Sequence, residues 1–180
     1  RAYADACSFG QQLNVAREVP GKQEFDETLR YFTYQLAEHG VRVHLNTWVT
    51  PDVLADAEVV LVATGVTPRV PDLPGVDHPM VVGYLEVLRG AVEVGQRVAI
   101  LGAGGIGFDV AEFLTDDGLD TSRDVGAFLA SWGVDAEHHA PGGLIAPTPH
   151  TARREVTLLQ RKTSKVGAGL GKTTGWIHRT

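Results

Sequence analysis

The stretch that most constrains the fold of this chain runs from Gln96 to Leu114 and reads QRVAILGAGGIGFDVAEFL. Its first part, residues 97–101, is β-branched and aliphatic, which is typical of a buried strand. The six residues that follow, GAGGIG at 102–107, match the pattern G-x-G-x-x-G. Apolar residues then recur at helical spacing. The sequence therefore predicts a strand, a glycine turn and a helix with no gap between them.

Each glycine of this pattern has a steric reason. Gly102 permits the tight turn out of the strand, Gly104 lets a pyrophosphate approach the backbone, and Gly107 lets the helix pack closely on the strand. The free N–H groups and the positive dipole end at the helix start then hold the phosphates. The alternative is a glycine-rich turn that binds nothing. The strand and helix on either side favour a dinucleotide-binding site.

Composition narrows the classes of function. A net charge of −6 over 180 residues gives no general attraction to nucleic acid or to anionic lipid. No apolar run has the length needed to span a bilayer, and none resembles a secretory signal. A single cysteine excludes an internal disulfide and a multi-cysteine iron–sulfur site within this chain. The seven histidines lack partners at ligand spacing, so no metal site is predicted. We expect a soluble, cytoplasmic protein without a nucleic-acid or membrane partner.

The first third of the chain has the pattern of an α/β domain. Residues 1–19 show little periodicity, whereas 22–39 carry a single apolar stripe that ends at Gly40, as in an amphipathic helix with a glycine C-cap. Alternation over 41–45 predicts a strand, and the continuous apolar run AEVVLVA at 57–63 predicts a buried parallel strand. We expect this part to be the later portion of a domain whose opening strand and phosphate loop precede the chain.

A proline-rich passage divides the chain. Five turn-forming residues lie between Thr67 and Met80, and a short helix is predicted at 84–88. The predicted organisation is therefore a partial FAD-binding domain at 1–69, a linker at 70–95 and a partial NAD(P)H-binding, Rossmann-like domain at 96–180. The fold class is α/β, with the Rossmann-like domain inserted in the remainder of an FAD-type domain.

The segment from about 116 to 152 departs from a simple Rossmann pattern. An acidic residue about 20 positions beyond the glycines normally binds the ribose 2′-OH, but no strand leads into that neighbourhood here. We interpret the segment as an insertion containing a helix at 125–132, so that the second strand is EVTLLQ at 155–160. The residues at the ribose position are then Arg161 and Lys162. Cations without an acid suit a 2′-phosphate and favour NADPH over NADH; the alternative is a solvated basic patch.

Several segments resemble the bacterial NADPH-dependent 2,4-dienoyl-CoA reductases, multidomain flavoenzymes of the Old Yellow Enzyme class that serve fatty acid β-oxidation. The similarity covers nearly the whole chain. The segments are Gly21-Lys22, Glu24-Phe25, Glu27–Tyr31, Ala99–Asp109, Leu159–Lys162 and Gly169–Arg179 (GLGKTTGWIHR). The last of these is far more specific than the glycine loop.

The resemblance implies a larger oxidoreductase. Such enzymes carry an N-terminal β/α barrel with FMN and the catalytic residues, a [4Fe–4S] cluster, an FAD domain, and an NADPH domain inserted in the FAD domain. Hydride passes from NADPH to FAD, and electrons continue through the cluster to FMN. This chain matches only parts of the FAD and NADPH domains. We therefore expect NADPH and FAD as its cofactors, the barrel of the same polypeptide as its partner, no catalytic residue within it and no activity of the chain alone.

The resemblance also implies which residues contact cofactors. The NADPH pyrophosphate would contact Gly102, Gly104, Gly105, Ile106 and Gly107. The adenosine phosphate end would contact Arg161 and Lys162, and the flavin nucleotide would contact Gly10, Gln12, Thr64 and Gly65. One departure is that Gln11 stands where the family has a second glycine.

Two alternatives remain open on the sequence. One is a domain similar to the electron-transfer flavoprotein trimethylamine dehydrogenase, in which the glycine loop binds ADP or nothing and no hydride arrives from NADPH. The other is a truncated, non-catalytic interaction domain. An apolar face exposed in such a domain would cause dimerisation or aggregation.

Overall fold

A computed structural model describes residues 1–6, 8–118, 121, 124–148, 151–171 and 175. The chain divides into two compact units, the first formed by 1–18 with 22–83 and the second by 19–21 with 84–180. The end of the motif Gly169–Arg179, including the helix predicted there, falls outside the described residues from Lys172 onward, Gly175 excepted. No helix in the described ranges is long and apolar enough to cross a membrane.

In its described residues, the first unit contains two short parallel strands, two α-helices and a 3-10 helix at Pro51–Leu54. The strands and α-helices are β1 (Ala2–Tyr3), α1 (Gln11–Ala16), α2 (Phe25–Glu38) and β2 (Val43–His44). Ala2 pairs with Val43 and Tyr3 with His44. The sequence did not predict β1 or α1, because two and six residues are too few to show a period. The strand predicted at 41–45 is present but shorter.

Helix α2 ends as its sequence predicts. Gly40 adopts a left-handed φ of 63°, and its N–H donates to the carbonyl oxygen of Ala37. The N–H of Val41 donates to the carbonyl oxygen of Leu36 at 2.8 Å. These two bonds form the Schellman arrangement, which satisfies carbonyls that the helix end would leave without donors. The predicted helix and its terminating glycine are both confirmed.

The second unit is built on a parallel strand pair. Its elements are α3 (Tyr84–Leu88), β3 (Arg97–Leu101), α4 (Gly105–Thr115), α5 (Val125–Ser131) and β4 (Glu155–Leu159). β3 and β4 pair in parallel from Arg97 opposite Glu155 to Leu101 opposite Leu159. Each of these elements is predicted by the sequence and confirmed in position, and β4 is the direct neighbour of β3. The predicted burial of β3 is wrong for this structure, because its residues alternate between exposed and half-buried and Leu101 is 61 % exposed.

Helix α4 supplies half of the buried apolar side chains described in the second unit. Its side chains Phe108, Val110 and Leu114 are buried, and Leu114 is only 2 % exposed. Helix α3 packs on α4 and buries Val87 and Leu88. Burying aliphatic side chains of this size contributes roughly 1.5–3 kcal/mol each. The packing of α4 therefore fixes the helix against the strand pair.

The connection between α4 and β4, residues 116–154, has its own local structure. The Asp124 carboxylate caps α5 by accepting from the N–H of Ala127 at 2.9 Å. Val134 and Leu144 form an antiparallel bridge. Between them, Asp135 accepts from backbone N–H groups of the turn that follows it. The helix predicted at 125–132 is confirmed to within one residue.

The two ends of the connection are held together. The N–H of Arg153 donates to the carbonyl oxygen of Thr115 at 3.2 Å. The Arg153 guanidinium donates to the carbonyl oxygen of Asp117 at 2.7 Å. Because these carbonyls lie at and just beyond the end of α4, the cation also stabilises the negative end of the helix dipole.

The prediction of a buried strand at 57–63 is wrong for this structure. These residues form no strand, and Leu61 is 90 % exposed. Within the described part of the chain, the backbone of 58–72 makes no hydrogen bond to other backbone groups. An apolar run becomes a buried strand only where a neighbouring strand and a facing layer receive it. The described residues of the first unit supply neither for this run.

Candidate nucleotide-binding site

The glycine turn leaves β3 while it is still attached to β4. The N–H of Gly102 donates to the carbonyl oxygen of Leu159 at 2.9 Å. Gly102 has a φ of +131°, which side chains with a Cβ rarely adopt. The loop 102–104 therefore starts at the carboxyl end of both strands, the edge at which open α/β sheets bind ligands.

Gly107 is required by packing. A Cβ at this position would lie well under 3.0 Å from the carbonyl oxygen of Gly102 and 3.7 Å from the side chain of Leu158. The obstacle is backbone, which cannot move aside as a flexible side chain can. A glycine at this position therefore lets α4 approach the turn and β4 closely.

Gly104 and Gly105 face open space instead. A Cβ on either would meet no atom of the described residues within 4 Å. Gly104 has φ −95° and ψ −174°, an extended backbone that any residue adopts. The fold therefore does not require glycine at Gly104. The residues fit a bound pyrophosphate, because no described residue fills the space over the turn and the missing Cβ lets a ligand approach the backbone.

The start of α4 is open to an anion. In the described structure no side chain caps this end, and its first turn carries no acidic residue. The helix has 11 residues and begins at Gly105, and Phe108 is bonded through its N–H to the carbonyl of Gly104. The N–H groups of 105–107 come before this first bond of the helix and therefore have no acceptor within it. Together with the helix dipole, they favour negative charge at this end. Ile106, in the same turn, is 53 % exposed.

The predicted ribose-end cations lie at the same edge of the sheet. Arg161 and Lys162 follow β4 directly, and the register sets the end of β4 beside Leu101, the residue before the turn. Both side chains are exposed, and neither has an ion-pair partner among the described residues. The structure thus places an open glycine turn and unpaired positive charge at one edge.

Gln160 is a residue of this edge that sequence reasoning missed. It lies in the chain between Leu159, the last residue of β4, and Arg161, and its side chain is half-buried. Its Nε2 donates to the carbonyl oxygen of Lys162 at 2.9 Å and also to the carbonyl oxygen of Ser164. The only signal in the sequence is its position at the strand end, because the two carbonyls belong to a turn without a recognisable pattern.

The residues predicted near a flavin lie together in the first unit. A Cβ on Gly65 would lie 3.7 Å from the Oε1 of Gln11 and 3.8 Å from the Nε2 of Gln12, so the turn at Thr64 faces α1. Gly10, at the start of α1, has φ +84°, and a Cβ there would overlap Leu29 of α2. Within this unit the predicted contacts therefore come from one neighbourhood.

Gln11, the residue that replaces the family's glycine, takes part in this neighbourhood. Its Nε2 donates to Oδ1 of Asp5 at 2.6 Å. While the amide NH₂ makes this bond, Oε1 of the same side chain faces Gly65. In the described ranges, no cluster of three or more histidine, cysteine or carboxylate side chains has the geometry to hold a metal.

A parallel strand pair, a glycine turn at its carboxyl edge and a helix that starts at the turn are the arrangement of a Rossmann-like α/β nucleotide-binding domain. The chain belongs to the pyridine nucleotide-disulphide oxidoreductase family, whose domain matches residues 50–169. Domains of this family bind FAD and pyridine nucleotides and serve oxidoreductases. The predicted α/β fold and the general role in nucleotide-dependent redox chemistry are confirmed at this level.

Similar proteins are reductases of much greater length. A metal reductase of Desulforamulus reducens is 27% identical over 180 residues, which are 97% of this chain and 26% of that protein. A bilirubin reductase of Mediterraneibacter gnavus is 30% identical over 117 residues, 64% of this chain and 18% of that protein. The chain thus spans about a quarter or less of these relatives.

A solved structure has the same fold. It is a 2-naphthoyl-CoA reductase in complex with 2-naphthoyl-CoA, with a TM-score of 0.70 and 23% identity. The superposition covers 98% of this chain and 22% of the reductase. The likeness extends over both units of the chain and supports the Rossmann-like α/β fold.

Proposed function

We propose that this chain is the pyridine-nucleotide and flavin-binding part of an NADPH-dependent oxidoreductase of the 2,4-dienoyl-CoA reductase type. The observation that carries the proposal is the edge formed by β3 and β4. There the open turn at Gly104 and the unpaired cations at Arg161 and Lys162 adjoin, because Leu101 and Leu159 are paired. Pyrophosphate and 2′-phosphate are the two anionic groups of NADPH, and the edge offers a place for each.

The residues of the chain would bind and orient the nucleotide. The turn 102–107 would hold the pyrophosphate by its amides, and Arg161 with Lys162 would hold the 2′-phosphate. The neighbourhood of Gly10, Gln12, Thr64 and Gly65 would contact FAD. When bound, NADPH supplies the hydride that reduces the flavin. The proposed partner is the barrel of a longer, cytoplasmic polypeptide, which would carry FMN, a [4Fe–4S] cluster and the catalytic residues.

The test is a fluorescence or calorimetric titration of the chain with NADPH and NADH, repeated on Arg161→Ala. Loss of one charge-assisted phosphate contact should cost roughly 1.5–3 kcal/mol for NADPH and leave NADH unchanged. The matched control is Arg97→Ala. Arg97 is exposed at the start of β3, the opposite end of the same strand pair. Its substitution therefore removes the same charge from the edge that does not carry the glycine turn.

Three results would contradict the proposal. Equal binding of NADPH and NADH by the unaltered chain would mean that no residue reads the 2′-phosphate. An equal loss in Arg97→Ala would assign the effect to net charge. Absence of NADPH binding would favour the trimethylamine-dehydrogenase-like alternative, in which the turn binds ADP or nothing, and an ADP titration separates those two cases.

A further inference from the structure

We propose that Gln160 is the positioning residue that gives this edge its selectivity for a 2′-phosphorylated nucleotide. Its side-chain amide holds the bend that carries Arg161 and Lys162, so that both cations stay beside the glycine turn. The inference rests on the proposed binding of NADPH and concerns a residue that would not itself touch the phosphate.

The hydrogen bonds of Gln160 tie the bend to the strand. Both acceptors, the carbonyl oxygens of Lys162 and Ser164, lie within four residues of the donor. An amide NH₂ has two hydrogens, and two carbonyls account for both. Because Gln160 directly follows Leu159, the strand residue bonded to Gly102, the same short stretch is anchored to the turn on one side and to the bend on the other.

Nothing else in the described chain replaces these bonds. Residues 161–164 make no backbone-to-backbone hydrogen bond there, and they belong to no helix or strand. Without the Gln160 amide, the bend would therefore sample many more backbone conformations. A flexible cation loses affinity, because its ordering on binding opposes the attraction to the phosphate.

The effect must depend on the phosphate. NADH has no 2′-phosphate and gains nothing from ordered cations at this edge, whereas its pyrophosphate still binds at the glycine turn. A merely structural role for Gln160 would change the affinity for both nucleotides. The ratio of the two dissociation constants therefore distinguishes positioning from general stability.

The experiment compares Gln160→Met and Gln160→Glu, each with and without Arg161→Ala, by titration with NADPH and NADH. Methionine keeps the length and removes both donors, and glutamate keeps the shape but places an acceptor against two carbonyls. Loss of hydrogen bonds of ordinary strength should weaken NADPH binding about 3- to 10-fold. NADH binding should change less than about twofold. In the Arg161→Ala background the further loss should shrink, because Gln160 acts largely through that cation.

A second measurement needs no nucleotide. Backbone NMR order parameters over 161–165 should fall in Gln160→Met, while those of β3 and α4 stay as in the unaltered chain. Unchanged order parameters in this bend would overturn the inference. So would an equal loss of NADH binding, or unchanged NADPH binding in a chain that Arg161→Ala does weaken. If the unaltered chain binds both nucleotides equally, the proposed function fails first and this inference fails with it.

Discussion

Gly104 and Gly107 are three residues apart and are glycine for different reasons. At Gly107 a Cβ would collide with the backbone of the turn, whereas at Gly104 it would meet nothing among the described residues. The backbone angles at Gly104 are also available to any residue. The fold therefore explains the glycine at Gly107, whereas the glycine at Gly104 is expected only from the proposed pyrophosphate contact.

This contrast gives a prediction for Gly104→Ala. A methyl group where the pyrophosphate approaches should weaken NADPH and NADH binding alike, by about 1–3 kcal/mol, the usual cost of overpacking. Thermal stability should remain within about 0.5 kcal/mol, because the site is open in the free protein. Titration with both nucleotides and a thermal melt check the two parts.

Gly107→Ala is the matched variant, since it adds the same methyl group three residues away. It should lower the melting temperature before it affects any ligand. Should Gly104→Ala bind both nucleotides as well as the unaltered chain does, the open space over the turn is not where a pyrophosphate lies.

At the scale of elements, Asp135 organises the turn inside the 116–154 connection. Its Oδ2 accepts from the N–H of Ala140 at 2.8 Å and its Oδ1 from the N–H of Glu137 at 3.1 Å. These bonds lower the pKa of the Asp135 carboxyl below its ordinary value of 3.8, and the bond from Ala140 has the largest effect. A folded-state pKa below the unfolded one stabilises the folded chain at higher pH, and the stabilisation is lost as pH falls through the folded value.

Asp135→Asn should therefore lower the melting temperature at neutral pH, since an amide has one oxygen acceptor for two backbone donors. The difference from the unaltered chain should narrow below about pH 3.8. Melting curves across pH test this, with Glu93→Gln as the control that removes an exposed carboxylate elsewhere. A difference that stays constant down to acid pH would show that the charge of Asp135 is not what stabilises the turn.

The elements that the sequence predicted are those whose signal is local. Helix α2 has a full apolar stripe and a glycine C-cap, and β3 and β4 are short aliphatic runs next to turn residues. α1 and β1 were missed because they are too short for periodicity. The run 57–63 was misassigned because burial depends on what packs against a segment, which its own residues do not encode.

The candidate site divides along the same line. The glycine turn follows a spacing that a sequence displays directly, and Arg161 is predicted by counting from a strand end. Gln160 has no such pattern, since its role depends on two carbonyls brought within reach of its amide by a bend. The same holds for Gln11 and Gly65, whose approach joins residues more than fifty positions apart.

At the scale of the whole molecule, the exposed apolar run at 59–62 has consequences for association. Leu61 is 90 % exposed and Val62 is 81 % exposed, and no described backbone group pairs with this stretch. Unpaired apolar segments of extended chain are templates for pairing with another chain. We expect the apparent mass of the isolated chain to rise with concentration.

Leu61→Lys should reduce that rise, because a charge on the run opposes pairing. Stability should change by less than about 0.5 kcal/mol, as for other surface substitutions. Sedimentation velocity over a range of concentrations measures the effect. Leu144→Lys is the control, since Leu144 is 70 % exposed but lies in the 116–154 connection. An equal reduction in both variants would assign association to general charge rather than to this run.

The pinned ends of the 116–154 connection also bear on evolution and engineering. Arg153, near the end of this connection, is bonded to the carboxyl end of α4, where the connection begins. The two ends of the connection therefore lie close together. Closing a flexible loop costs only about 0.6 kcal/mol more for each doubling of its length. Changes in the length of this connection should therefore alter the free energy of unfolding little, and they lie at the end of α4 opposite the glycine turn. The connection is the natural point at which to graft a reporter peptide, or to open new termini in a circular permutant.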